Sequence, residues 1–172
     1  MQRRLWLPVL VGLVCLGAAA LAWPGPAAAT SGSGTRTAMT LTTAQFEARL
    51  LARANSRRDA RGCHTLRLNS ALVLAARRHT SLMVQRRVLS HQLSGESGLA
   101  TRVERAGYTH WRRLGENLAW GQSSPRAVFR AWVRSPGHRA ILDDCRLHEV
   151  GFAVSYLNGR PWVTADFGRR YG

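Results

Sequence analysis

An α+β domain is the fold class that the order of patterns in this chain predicts. Helical periodicity runs from Thr42 to Leu142, strand alternation gathers around one tight turn near the C-terminus, and nothing repeats at a period of about 20–50 residues. The 172 residues are 45% hydrophobic and include six Trp, enough apolar side chains for one core and too many for a disordered basic tail.

The first segment reads as a targeting signal. Arg3 and Arg4 precede an uncharged run from Leu5 to Trp23, and the small residues Ala27-Ala28-Ala29 follow, the three-part pattern of a secretory signal peptide over residues 1–29. Pro24 and Pro26 end the apolar run, which favours cleavage after Ala29. Left uncleaved, the run is long enough to span a bilayer as a signal anchor. Residues 30–40 are a Ser/Gly/Thr-rich linker, and residues 41–172 form a single domain. The protein is therefore expected outside the cell, secreted or held at the membrane by that anchor.

Thr42 followed by Gln45 is a capping-box pattern, and Phe46, Leu50 and Ala54 then share one helical face, with a stop expected near Gly62. A second helix starts at Asn69 or Ser70, where Leu72, Ala75, Ala76, His79 and Met83 form an apolar stripe. Ser94-Gly95-Glu96-Ser97-Gly98 reads as a solvated loop, and a short helix over Leu99–Ala106 stops at Gly107. Ser124 and Pro125 open a helix to Arg134, and Ser135 and Pro136 open another through Ile141 and Leu142, with both serines as N-caps. Strands are expected at Glu116–Trp120, Val150–Tyr156 and Arg160–Phe167. The last two are joined by Asn158-Gly159, a pair suited to the positive φ of a two-residue hairpin turn.

All 25 basic residues are Arg, against nine acidic residues, for a net charge of +16; loss of Arg3 and Arg4 with the leader leaves +14. The Arg residues recur in every helix rather than in one cluster, so specific nucleic-acid binding is not expected. Charge of this size adheres instead to anionic lipids or cell-envelope polymers. Cys15 leaves with the leader, so Cys63 and Cys145 remain. Export favours one structural disulfide between them over a nucleophile or metal ligands, and closing that loop stabilises by about 4 kcal/mol.

No metalloprotease, nucleophile-elbow, P-loop or dinucleotide motif is present. His79 falls on an apolar stripe and reads as a core residue. His91 follows the end of the second helix. His138 sits in the first turn of the Ser135-capped helix, where the dipole keeps imidazole neutral.

The pattern Asn55-x-x-Arg58-x-x-x-Gly62, Leu66, Leu72, Ala75-Ala76, His79, Met83, Ser90-His91 resembles the CAP superfamily, also called the SCP domain. The likeness continues through Gly115-Glu116-Asn117-Leu118-Ala119, Trp132-x-x-Ser135-Pro136-Gly137-His138-Arg139-x-Ile141-Leu142, Glu149-Val150-Gly151 and Phe167-Gly168. It spans about residues 43 to 168 and is similar to the short bacterial branch. The resemblance implies an α-β-α sandwich with a small antiparallel sheet between helices. It also implies a cavity with two His and two Glu able to hold a divalent metal such as zinc. By motif, His91 and His138 take the His positions and Glu116 one Glu position, while Ser135 stands where the second Glu is expected. His91, Glu116 and His138 are thus both the metal and the catalytic candidates; two imidazoles and one carboxylate make a three-ligand set with an open position.

Two functions follow from that resemblance: a monomeric secreted module whose cavity binds a metal, a lipid or an envelope component, and a metal-assisted, peptidase-like hydrolase using the same residues. No nucleophile with a matching base is visible, which favours binding.

Overall fold

A computed structural model describes residues 41–171; the leader and the linker lie outside the described residues. Helix α1 (Thr43–Asp59) begins with the capping box read from the sequence. Gln45 N donates to Thr42 Oγ1 at 3.2 Å and Thr42 N donates to Gln45 Oε1 at 3.0 Å. Strand β1 is the two-residue segment Arg67–Leu68, and Asn69 then caps α2 (Ser70–Arg86) by accepting from Ala71 N and Leu72 N. Helix α3 (Leu99–Arg105), strand β2 (Trp111–Trp120), helices α4 (Pro125–Arg134) and α5 (Pro136–Leu142), and strands β3 (Glu149–Leu157) and β4 (Arg160–Arg170) complete the domain.

The sheet order is β1-β3-β4-β2. Strands β2, β4 and β3 are antiparallel, and Asn158 (φ 51°) with Gly159 (φ 71°) makes the expected hairpin turn. Strand β1 adds a short parallel edge to β3, so the sheet is mixed rather than purely antiparallel. Two residues are too few to show a period of two in the sequence.

Alternation along the strands feeds two cores. Val150, Phe152, Val154, Val163, Ala165 and Phe167 pack against Phe46 and Leu50 of α1, Val128 and Trp132 of α4 and Leu142 of α5. On the opposite face, Leu118 and Trp162 meet Met83 of α2, while Leu72 and Ala75 of α2 pack with Val103 and Tyr108. This is the α-β-α sandwich. Each layer is apolar toward the sheet because burying that face is what holds short helices in place.

Arg58 is a large cation inside the first core. It is 1% exposed, and its guanidinium donates to the carbonyls of His64 (2.8 Å), Asp144 (3.0 Å) and Leu147 (2.6 Å). Those carbonyls lie in the segments around Cys63 and Cys145, which are bonded to each other. An arginine can be buried there because each guanidinium nitrogen finds a carbonyl acceptor.

Candidate functional site

Strand β2 is one edge of the sheet, and the two helical layers meet around it. His91 comes from the segment after α2, His138 from α5 in the opposite layer, and Glu116 from β2 itself. All three line one pocket of about 520 Å³, together with Gln92, Leu99, Ser135, Gly137 and Ile141.

Local chemistry explains each placement. Helix α2 ends at Arg87, in the left-handed conformation (φ 54°), whose N–H returns to Met83 and Val84 carbonyls. The chain then turns back, and buried Leu93 pins it to the second core, leaving nearby His91 largely exposed. His138 is held through its backbone, whose carbonyl accepts from Asn117 Nδ2 at 3.1 Å. Asn117 and Glu116 are successive residues of β2 and point to opposite faces, so one anchors α5 while the other meets the α2 layer.

Glu116 is buried and engaged on both oxygens. His91 Nδ1 lies 2.8 Å from Oε1, and Arg102 Nη2 donates to Oε2. Arg102, itself buried, also donates to the His91 carbonyl at 2.8 Å, so it fixes the carboxylate and the backbone of its partner together. Burial acts to raise the Glu116 carboxyl. The His91 hydrogen bond and the Arg102 charge outweigh it and hold the group below its ordinary value. The bond to Glu116 pushes His91 upward against the opposing effects of burial and Arg102. His138 moves down, through burial first and the nearby His91 second. That is the neutral ring expected from the sequence, with burial and a neighbouring imidazole as its causes.

Three sequence readings need correction here. Ser135 occupies the N-cap position of α5, yet its side chain makes no capping bond; it lines the pocket instead. The Gly95–Gly98 segment is not merely solvated: Glu96 turns inward, accepts from Leu93 N at 3.1 Å and lies 2.8 Å from Nδ1 of the fully buried His79. The Arg residues are not uniformly spread, since four of them line one groove on α1.

Arg102 and Asp166 are the residues that sequence reasoning missed at the site. Arg102 was one Arg among many. Asp166 sits in an otherwise apolar strand, and a carboxyl within such an alternation was the only signal.

A resident divalent metal fits this donor set poorly. Glu116 has a guanidinium on one oxygen and an imidazole N–H on the other, and Ser135 supplies a neutral hydroxyl where a second carboxylate would be needed. Among the described residues, no group of three His, Cys, Asp or Glu side chains is arranged to hold a metal ion.

A family model described as "CAP: Cysteine-rich secretory protein family" matches residues 51–167. The chain belongs to the CAP family. Solved CAP-fold structures superpose on it. An outer surface protein of Borrelia burgdorferi aligns with TM-score 0.70 and 20% identity over 76% of this chain and 97% of that one. An extracellular SCP-domain protein of Bacillus anthracis aligns with TM-score 0.68 and 22% identity over 74% of this chain and 41% of that one. The protein YkwD of Bacillus subtilis (strain 168) is 27% identical over 138 residues, which cover 80% of this chain. The match takes in about half, 52%, of that relative's length. Within the CAP fold, the His91–Glu116–His138 pocket lies where the outer helical layers close over the edge of β2.

Proposed function

We propose that this CAP-domain protein is an exported binding module whose pocket receives an anionic oxygen group of a cell-envelope component. One observation carries the reading: Glu116 is already committed to Arg102 and His91, so the groups left facing the pocket are two imidazoles in different charge states. With Nδ1 donating to Glu116, the raised pKa of His91 favours the imidazolium, which presents a second N–H donor at Nε2. Neutral His138 supplies an adjoining donor or acceptor at no cost in like-charge repulsion. A phosphate or carboxylate meets both needs. The leader read from the sequence and the extracellular SCP-domain protein among the structural neighbours support export. Among the described residues, no helix is long and apolar enough to cross a membrane.

The metal-assisted hydrolase reading requires Glu116 as a ligand or base, and the Arg102 and His91 contacts compete with both roles. We therefore derive no hydrolytic step.

The test is a titration of the protein with glycerol phosphate, followed through the imidazole signals of His91 and His138 by NMR. Both rings should shift on binding, and His91→Gln should abolish the response. Shifts absent from both rings would overturn the reading. So would a response that zinc alone produces, at one equivalent, through His91, Glu116 and His138.

A further inference from the structure

Arg49, Arg53, Arg57 and Arg61 recur at every fourth position of α1 and its following turn, and all four line a groove of about 700 Å³. Residues four apart on a helix form one ridge, with steps of about 6 Å along the axis. Beside that ridge runs a second one of short side chains, Ala52, Ser56 and Ala60, and Phe129 of α4 closes the far side. A ridge of long cations next to a ridge of small residues makes a shallow, open groove that follows the helix. Its walls carry guanidinium groups and its lining is short and partly apolar.

Structural uses account for only part of this charge. Arg57 Nε lies 2.6 Å from Asp143 Oδ1 and Arg61 Nε 3.1 Å from the same oxygen, so one carboxylate answers two arginines. Among the described residues, no carboxylate lies within ion-pair distance of Arg49 or Arg53, and both are exposed. The groove thus holds four positive charges against one negative.

We propose that this groove binds a soluble linear polyanion with one phosphodiester per repeat, laid along α1 so that successive phosphates meet Arg49, Arg53 and Arg61. Guanidinium pairs with phosphate through two parallel N–H donors, which rewards a phosphate over a diffuse negative surface. The row of Ala52, Ser56 and Ala60 gives the carbon backbone of such a chain somewhere to lie, and Phe129 gives it an apolar wall. A flat bilayer presents its phosphates in a plane, whereas a single chain can follow the row of arginines along the helix. This groove shares no residue with the His91 pocket, and the proposal does not depend on that pocket.

The experiment measures binding of poly(glycerol phosphate) to the full chain over a range of salt concentrations. Arg49→Gln with Arg53→Gln should weaken binding about tenfold and lower the slope of log K against log salt by about 1.4, two phosphate contacts' worth. Arg78→Gln with Arg112→Gln removes the same charge from exposed positions on α2 and β2 and should leave affinity and slope near wild type. The loss caused by the Arg49 and Arg53 changes should be the same in a His91→Gln background, which separates this groove from the pocket. Equal losses in the two double variants would overturn the proposal in favour of net charge alone. Binding to phosphatidylglycerol vesicles without binding to the soluble polymer would also overturn it, and so would equal binding of polyglutamate.

Discussion

Glu116 of β2 and Asp166 of β4 stand directly opposite each other in the sheet register, and both are buried. Two carboxyl groups at that separation cannot both stay charged away from water. Glu116 has Arg102 and His91 as partners, whereas among the described residues neither oxygen of Asp166 has a donor within reach. Asp166 is therefore the one that keeps its proton: burial first, and Glu116 second, push it well above its ordinary value of 3.8. A raised folded pKa means that stability falls as pH rises from that ordinary value towards the folded one. Asp166→Asn keeps the shape and a donor without the titration. Its melting temperature should match wild type near pH 4 and exceed it increasingly toward neutral pH, whereas Glu116→Gln should lower the melting temperature throughout that range.

The His91–Glu116 pair has its own pH window. The Glu116 pKa is lowered on folding, so its contribution is complete above its ordinary 4.5 and is lost as pH falls through the folded value. The His91 pKa is raised, so its contribution is complete below its ordinary 6.5 and is lost as pH rises through the folded value. Both are present together between pH 4.5 and 6.5. The difference in melting temperature between wild type and His91→Gln should be greatest in that window and shrink on either side. Because His91 is largely exposed, the difference should be small and should diminish with salt.

How much of this was legible depended on the range of the interaction. The Thr42 capping box, the Asn69 and Ser124 caps and the Asn158-Gly159 turn are local, and each shows in the sequence because residues within three positions make it. Strand β2 was seen only from Glu116 onward, since Arg112 and Arg113 interrupt the apolar alternation and an edge strand tolerates such outward charge. His91, Glu116 and His138 were named from motif resemblance, and the fold places all three on one pocket. The Arg102 guanidinium on Glu116 is a contact between α3 and β2 that no spacing encodes. Neither does any spacing encode the cross-strand meeting of Glu116 with Asp166.

Cys63 and Cys145 are bonded across a sequence separation of 82 residues. The bridge joins the turn after α1 to the segment after α5, beside the carbonyls that Arg58 gathers. Mass spectrometry of the unreduced protein should find no free thiol at either position. Replacing both by Ser should cost about 4 kcal/mol, the loop-closure entropy of the unfolded chain, and chemical denaturation would read it directly.

Trp132 is 1% exposed, and its indole Nε1 donates to the Leu118 carbonyl at 2.8 Å. Trp132→Ala would remove a large core side chain and leave a buried carbonyl without its donor. The loss should be about 3–5 kcal/mol. Exposed Arg53→Ala should fall within about 0.5 kcal/mol of wild type. Denaturant unfolding of the two variants side by side would expose a misplaced Trp132, since the two midpoints would then coincide.

Gly151 marks the closest approach between the sheet and α2. A Cβ built there would lie 2.2 Å from the Leu72 carbonyl carbon and 2.2 Å from Val73 N. Both are backbone atoms of the first turns of α2, so no side chain can rotate away. The helix itself would have to lift from β3, taking Leu72, Ala75 and Met83 out of the second core. Gly151 has no positive φ, so its requirement is for space rather than for backbone freedom. Gly137 gives the matched control: a Cβ there meets nothing within 4 Å, and its place in α5 means that Ala should help by up to about 1 kcal/mol. Gly151→Ala should therefore lower the melting temperature sharply or yield no folded protein, while Gly137→Ala should equal or exceed wild type. Near-equal melting temperatures for the two variants would mean that α2 does not press on the sheet at this point.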